Sequence, residues 1–104
     1  MSHFVFVYGT LKKGYSNHHF LLDASFIGQG RTQNKYTMYA DSIPYVCEQP
    51  QTSYIYGELY LVNDDILQAL DQLEEHPFFY ERKEIPVLVE GKIYQAWMYF
   101  CHHP

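Results

Sequence analysis

The sequence predicts an α+β domain built on a mostly antiparallel or mixed sheet, of a kind that can curl into a small barrel. Two observations predict it. Apolar and aromatic runs of strand length recur along the chain without regular alternation between strand and helix. Only one stretch, carrying Ile66, Leu67, Leu70 and Leu73, keeps helical spacing. The 104 residues lie near the modal domain size, so one domain spanning 1–104 around one core is expected.

The elements follow in order. Residues 4–8, a continuous apolar and aromatic run ended by Gly9, read as a strand buried on both faces. Residues 17–23 suit one or two turns of helix. Ser25–Thr32 and residues 35–40 are short strands punctuated by Gly28, Gly30 and the Gln33-Asn34 turn. Residues 43–47 form a further strand that Pro44 places at an edge or bend, and residues 48–53 are loop. Residues 54–62 read as a strand interrupted by Gly57. Asn63 or Asp64 then caps the helix, and Pro77 stops it. Tyr80–Val89 and residues 92–100 are two more strands, joined by a tight Glu90-Gly91 turn.

Composition narrows the function classes. A hydrophobic fraction of 47%, with 11 Tyr and 7 Phe, supplies a core and argues against disorder. Tyrosines in that number suit a β-rich domain, and their hydroxyls can also line a polar pocket. The net charge of −5 opposes a phosphate backbone as partner, and Lys12-Lys13 is too small a basic patch to reverse this, so no nucleic acid is expected. The apolar start follows no basic segment and is too short for a signal peptide or membrane span. Cys47 and Cys101 form no CxxC and read as reduced core thiols. A cytoplasmic protein without a membrane partner is expected, and its exposed aromatic strands would suit a homodimer.

Several chemistries can be weighed residue by residue. Projected at about 100° per residue from Ile66, Glu74 falls at about 80°, inside the apolar stripe, and Glu75 at about 180°, facing away. A carboxylate on the apolar side near a helix C-terminus loses hydration and opposes the helix dipole. Both effects raise its pKa toward the range useful for proton transfer. The plainer alternative is that the helix frays before Pro77 and Glu74 bonds a neighbour or water. Residues 9–14 fit the first half of a phosphate loop, but Tyr15-Ser16 stands where Lys and Ser or Thr are required. What remains is a glycine turn, either a plain strand exit or a set of N–H groups open to a carboxylate. His18-His19 and Cys101-His102-His103 are adjacent rather than spaced as ligands, so no metal site is expected. Cys47 lacks any sign of activation, and no G-x-S-x-G elbow occurs.

The ordered motifs resemble a known family. Phe4-Val5-Phe6-Val7-Tyr8-Gly9-Thr10-Leu11-Lys12-Lys13-Gly14 resembles the opening strand and Y-G-T-L loop of the γ-glutamyl cyclotransferase superfamily. Asn17-His18, Gly30-Arg31-Thr32, Pro44 and Gly57-Glu58-Leu59-Tyr60 continue the match to its γ-glutamylamine cyclotransferase branch. Leu70-Asp71-x-x-Glu74-x-x-Pro77-x-x-Tyr80-x-Arg82 and a final strand with Tyr99 complete it. The resemblance implies a small β-barrel with flanking helices, with the Tyr-Gly-Thr-Leu loop as the floor of a cavity. It implies that Glu74 is the acid/base, that Tyr8, Gly9, Thr10 and Leu11 hold a glutamyl moiety, and that Tyr80 and Tyr99 line the pocket.

The implied reaction is intramolecular aminolysis of a γ-glutamyl amine or amide to 5-oxoproline and a free amine. The substrate supplies its own nucleophile, so no metal or cofactor is required. A non-enzymatic module of the same fold, binding a γ-glutamyl or amino-acid-like ligand, is the alternative. Because the chain stops at Pro104, soon after the last strand, a more open pocket is expected than in family members that continue.

Overall fold

The computed structural model describes residues 1–40 and 43–102. The strands are β1 (Ser2–Val7), β2 (Ser25–Thr32), β3 (Thr37–Ala40), β4 (Pro44–Cys47), β5 (Tyr56–Asn63), β6 (Tyr80–Val89) and β7 (Lys92–Cys101). One α-helix, α1 (Asp64–Leu73), follows β5 directly. A short 3-10 helix, His18–Leu21, stands in the loop between β1 and β2. The expected flanking helices are therefore one α-helix and one 3-10 turn.

Five strands close into a barrel in the order β1-β5-β2-β6-β7. The barrel is mixed: neighbours are antiparallel except β7 against β1, which run parallel and meet at Val5 and Trp97. β3 and β4 form a separate hairpin with Thr37 opposite Cys47. Pairing, rather than local polarity, sets the strand ends. The polar Ser2 and His3 join β1 because they face Asn63 and Val62 of β5, and the first turn of α1 can start only after that ladder ends.

Alternation along the strands divides the apolar side chains between two cores. Phe6 of β1, Leu59 of β5, Val87 of β6 and Met98 and Phe100 of β7 fill the barrel. Val5 and Val7 of β1, Tyr60 and Val62 of β5 and Tyr99 of β7 face outward and are covered by Leu67 and Leu70 of α1 and by Leu21. β1 is thus buried on both faces, as its unbroken apolar run predicts. Asn63 caps α1, its Oδ1 accepting the N–H of Ile66 at 2.8 Å, which satisfies one of the unpaired donors at a helix start.

Gly57 is where β5 passes closest to β1. A Cβ there would lie 2.2 Å from the Val7 carbonyl oxygen and 3.1 Å from the Phe6 ring. Backbone and a buried ring cannot both yield, so the interruption that Gly57 makes in a strand-like run is a close approach and not a strand break. Gly57→Ala is expected to cost more than about 3 kcal/mol, in the range of severe core mutations. Urea unfolding followed by tyrosine fluorescence checks this; a variant as stable as wild type, or more so as glycine replacement in a strand ordinarily gives, would show that β1 can shift aside.

Candidate active site

The segment leaving β1 is held as a compact turn. Lys12 N–H closes onto the Gly9 carbonyl at 3.1 Å, and Asn17 bridges back to Thr10 twice, N–H to carbonyl at 2.9 Å and Nδ2 to Oγ1 at 2.8 Å. His18 Nδ1 lies 2.9 Å from the Leu11 carbonyl. The buried Glu58 carboxylate accepts the Lys13 N–H and the Tyr60 hydroxyl, both at 3.0 Å. These contacts consume the carbonyls of the turn. Among the described residues the N–H groups of Gly9, Thr10 and Leu11 take no hydrogen bond. A turn anchored through its carbonyls and presenting its amides is suited to an anion or to a carbonyl gaining negative charge.

The end of α1 supplies the carboxylate. Glu74 N–H still bonds the Leu70 carbonyl at 2.9 Å, so helical geometry lasts through this residue. The chain then turns: Glu75 N–H bonds the Gln72 carbonyl at 3.2 Å and His76 N–H the Asp71 carbonyl at 2.9 Å. That pair of bonds is a Schellman cap, with Glu75 in its left-handed position at φ 53°. The helix does not fray ahead of Pro77; it ends at Leu73 with Glu74 as its C-cap, and the carboxylate is still on the covered side. Burial alone pushes Glu74 up to about 7. Glu75 is exposed, as its projected angle predicts, although it no longer belongs to the helix.

Three residues before Glu74, the opposite electrostatics hold. The β6–β7 register sets Arg82 against Tyr99, and Asp71 descends on both. Arg82 donates to the Asp71 carboxylate from Nε at 2.8 Å and from a terminal nitrogen at 3.2 Å, while the Tyr99 hydroxyl donates at 2.7 Å. Arg82 also stacks 4.3 Å over the Trp97 ring. Burial pushes Asp71 up, but the Arg82 and Tyr99 hydrogen bonds outweigh it and hold the carboxyl below its usual range. The same hydroxyl is pushed up by burial and by Asp71, so Tyr99 stays protonated. Tyr8 donates to the Tyr99 carbonyl at 2.8 Å, and burial, then the neighbouring Glu74, raises its hydroxyl as well. Tyr80 is raised first by burial and then by Glu74.

These residues meet in one cavity of about 210 Å³. Its lining contains Glu74, the turn Tyr8, Gly9, Thr10 and Leu11, and both Tyr80 and Tyr99. All seven residues singled out from the sequence therefore surround the same space. A cavity of that volume admits a group the size of an amino acid, not a folded peptide.

A family model described as "Gamma-glutamyl cyclotransferase, AIG2-like" matches residues 5–104. The chain belongs to this family. A Methanocaldococcus jannaschii protein provisionally named as a γ-glutamylcyclotransferase is 46% identical over 99 residues, covering 93% of this chain and 82% of that one. The γ-glutamylaminecyclotransferase A of Danio rerio is 38% identical over 107 residues, covering 91% of this chain and 66% of its own length. The crystal structure of a mouse AIG2-like protein superposes with a TM-score of 0.91 at 32% identity, covering 99% of this chain and 79% of that one.

Against this family fold, several site features went unassigned in the sequence. Asp71 and Arg82 stood in the matched motif without a role. A signal was available in the composition: Arg31 and Arg82 are the only arginines, so a partly buried carboxylate that pairs with one has few choices. Glu58 and Asn17, which brace the turn, also stood in the matched motif without a role, and Phe79 and Ile43, which line the cavity, carried no sequence signal. Cys47 and Cys101 form no disulfide, and burial raises the Cys47 thiol. Among the described residues no group of three or more His, Cys, Asp or Glu could hold a metal ion, and no helix is long and apolar enough to cross a membrane. His103, part of the second histidine pair, lies outside the described residues.

The raised Glu74 has a thermodynamic consequence of definite sign. Its folded pKa of about 7 exceeds the unfolded value near 4.5, so ionising it opposes folding. That penalty is absent below the unfolded pKa, grows between the two values and is full above 7. Glu74→Gln is therefore expected to stabilise the protein at pH 8 by at most about 3 kcal/mol. At pH 4 the difference from wild type should disappear. Thermal melts of both proteins across this range check it, and a variant no more stable at pH 8 than at pH 4 would show that Glu74 is solvated. Asp71→Asn is expected to destabilise by about 1–3 kcal/mol at neutral pH, because Arg82 loses its anion. Denaturant titration measures that loss.

Proposed function

We propose that this protein cyclises γ-glutamyl amides by intramolecular aminolysis, releasing 5-oxoproline and an amine. One observation carries the reading: a carboxylate raised to about 7 by burial faces a turn whose N–H groups are unspent, inside one amino-acid-sized cavity. The family membership and the names of its γ-glutamylamine relatives support it.

The substrate is a small γ-glutamyl compound, folded so that its α-nitrogen lies against its own γ-carbonyl. Holding that bent form converts a rare conformer into the bound one. Glu74, as carboxylate, takes a proton from the α-ammonium, and the freed amine attacks the γ-carbonyl carbon. The amides of the Tyr8–Leu11 turn receive the developing negative charge on the γ-oxygen or anchor the α-carboxylate. The C–N bond to the leaving amine then breaks as Glu74 returns the proton to that nitrogen, and the second proton of the attacking nitrogen follows through Glu74, so the amine leaves as its ammonium. Atoms balance without an external nucleophile, so a single proton-shuttling carboxylate suffices. Tyr8 and Tyr99, kept protonated, spend their hydroxyl protons on the Tyr99 carbonyl and on Asp71, so they stand as fixed walls that offer a substrate only acceptor oxygens, and Asp71 with Arg82 positions Tyr99. A chemistry of this kind asks for no cofactor.

Purified protein incubated with a panel of γ-glutamyl amides in the presence of EDTA should release 5-oxoproline. Glu74→Gln should lose on the order of 10²–10⁴-fold in kcat/KM or more. The wild-type kcat/KM should rise with pH along an acid limb near the Glu74 pKa of about 7. Full activity in the Glu74→Gln protein would sink the mechanism. Binding of γ-glutamyl compounds without any release would assign the fold a ligand-binding role instead.

A further inference from the structure

The mouth of the cavity differs chemically from its floor. Ile43 and Phe79 both line the cavity, yet they are 59% and 62% exposed. Pro44 and Leu73 continue the same apolar wall inward. Isolated exposed apolar side chains are ordinary, but two converging on one opening form a surface that something apolar can cover. Charge at this mouth has a single sign. Among the described residues the lining includes the carboxylates Glu74 and Glu75 and no lysine, arginine or histidine. Glu75 is exposed whereas Glu74 is partly buried, so the two neighbouring carboxylates face different parts of the site. Glu74 serves the enclosed end and Glu75 the open rim.

Glu75 also occupies its place against backbone preference. It holds φ 53° at the cap position that glycine or asparagine normally takes, and its carbonyl accepts the N–H groups of Phe78 and Phe79, both at 2.9 Å. The turn that brings Phe79 to the mouth is therefore wound around Glu75. A charged side chain kept at a strained position beside a cavity points to a use there.

We propose that this rim is a leaving-group subsite for γ-glutamyl amides of diamines. The aliphatic spacer of the leaving amine lies on Ile43 and Phe79, and its distal ammonium meets the Glu75 carboxylate. The proposal rests on the cyclisation reading above and names its substrate class. An amide whose leaving amine ends in a carboxylate, as in a γ-glutamyl amino acid, brings a second negative charge to Glu75 and finds no cation in the lining. Discrimination then comes from repulsion as well as attraction.

Three conjugates matched in length test this: γ-glutamyl amides of 1,4-diaminobutane, butylamine and 4-aminobutyrate. We expect kcat/KM to fall in that order, with the diamine ahead of the carboxylate by about tenfold at low salt, as solvated charges allow. The ratio should shrink at about 0.5 M NaCl, where rim charges are screened. Glu75→Gln should bring the diamine-to-carboxylate ratio close to one, a quantity insensitive to the fraction of folded protein. Phe79→Ala should lower kcat/KM for the diamine and butylamine conjugates together. Equal kcat/KM for diamine and carboxylate in the wild type, or a ratio untouched by Glu75→Gln, would overturn the subsite while leaving cyclisation intact. Should no conjugate be cyclised, calorimetry decides. Affinities ranked in the same order uphold the rim and refute the cyclisation reading, and unranked or absent binding refutes the rim as well.

Discussion

The ion pair between Asp71 and Arg82 determines where the last turn of α1 rests on the barrel. Arg82 is held from below by the Trp97 ring and by strand register opposite Tyr99, so its guanidinium is a fixed feature of the β6–β7 hairpin. Asp71 docks on it with two hydrogen bonds, and the planar fork of arginine sets direction as well as distance. With Asp71 placed, one further turn of helix places Glu74, and the Schellman cap ends the helix there. The position of Glu74 in the cavity is thus inherited from a neighbouring pair that is itself satisfied.

The division of labour between the two carboxylates follows from their partners. Asp71 and Glu74 lie on the same helix, a single turn apart, and burial raises both. One has a cation and a phenol to offset it and ends below its usual range; the other has neither and is displaced to about 7. Environments that push two similar groups apart are a general means of separating structural from proton-transferring roles. The cost of keeping Glu74 unpaired is borne by the surrounding packing, since Leu67 and Leu70 anchor α1 over β1 and β5. The turn after β1 shows the same logic with opposite polarity. Its carbonyls are spent on Lys12, Asn17 and His18, and a buried Glu58 anchors its far end, which leaves its amides available.

Much of this was legible in the residues. The apolar and aromatic runs of β1, β5, β6 and β7, the single helical period and its Asn63 cap all arise from features a few residues apart, which a linear pattern records. Glu74 was legible for the same reason: its angle relative to Ile66 and Leu70 is a property of one helix. Less visible were features that depend on meeting a distant partner. The parallel β1–β7 closure joins Val5 to Trp97, and no local pattern indicates which strand edges will pair. Glu75 illustrates the boundary. Its exposure was readable from the helix projection, whereas its left-handed backbone and its place on the cavity rim depend on the cap and on Phe79 folding back onto its carbonyl.

The sequence by itself determined the class of fold, the location of the helix, the glycine turn after the first strand and the one carboxylate that would be buried on a helical face. These follow from periodicity, caps and turn chemistry, which act within a few residues. Tertiary structure alone decided that the turn, the helix end and the tyrosines of β6 and β7 converge on one cavity. It also decided that Asp71 would find Arg82 while Glu74 found no partner among the described residues. Both outcomes depend on barrel closure, which brings together residues separated by most of the chain, and solvent exclusion at that junction gives a single glutamate its displaced pKa.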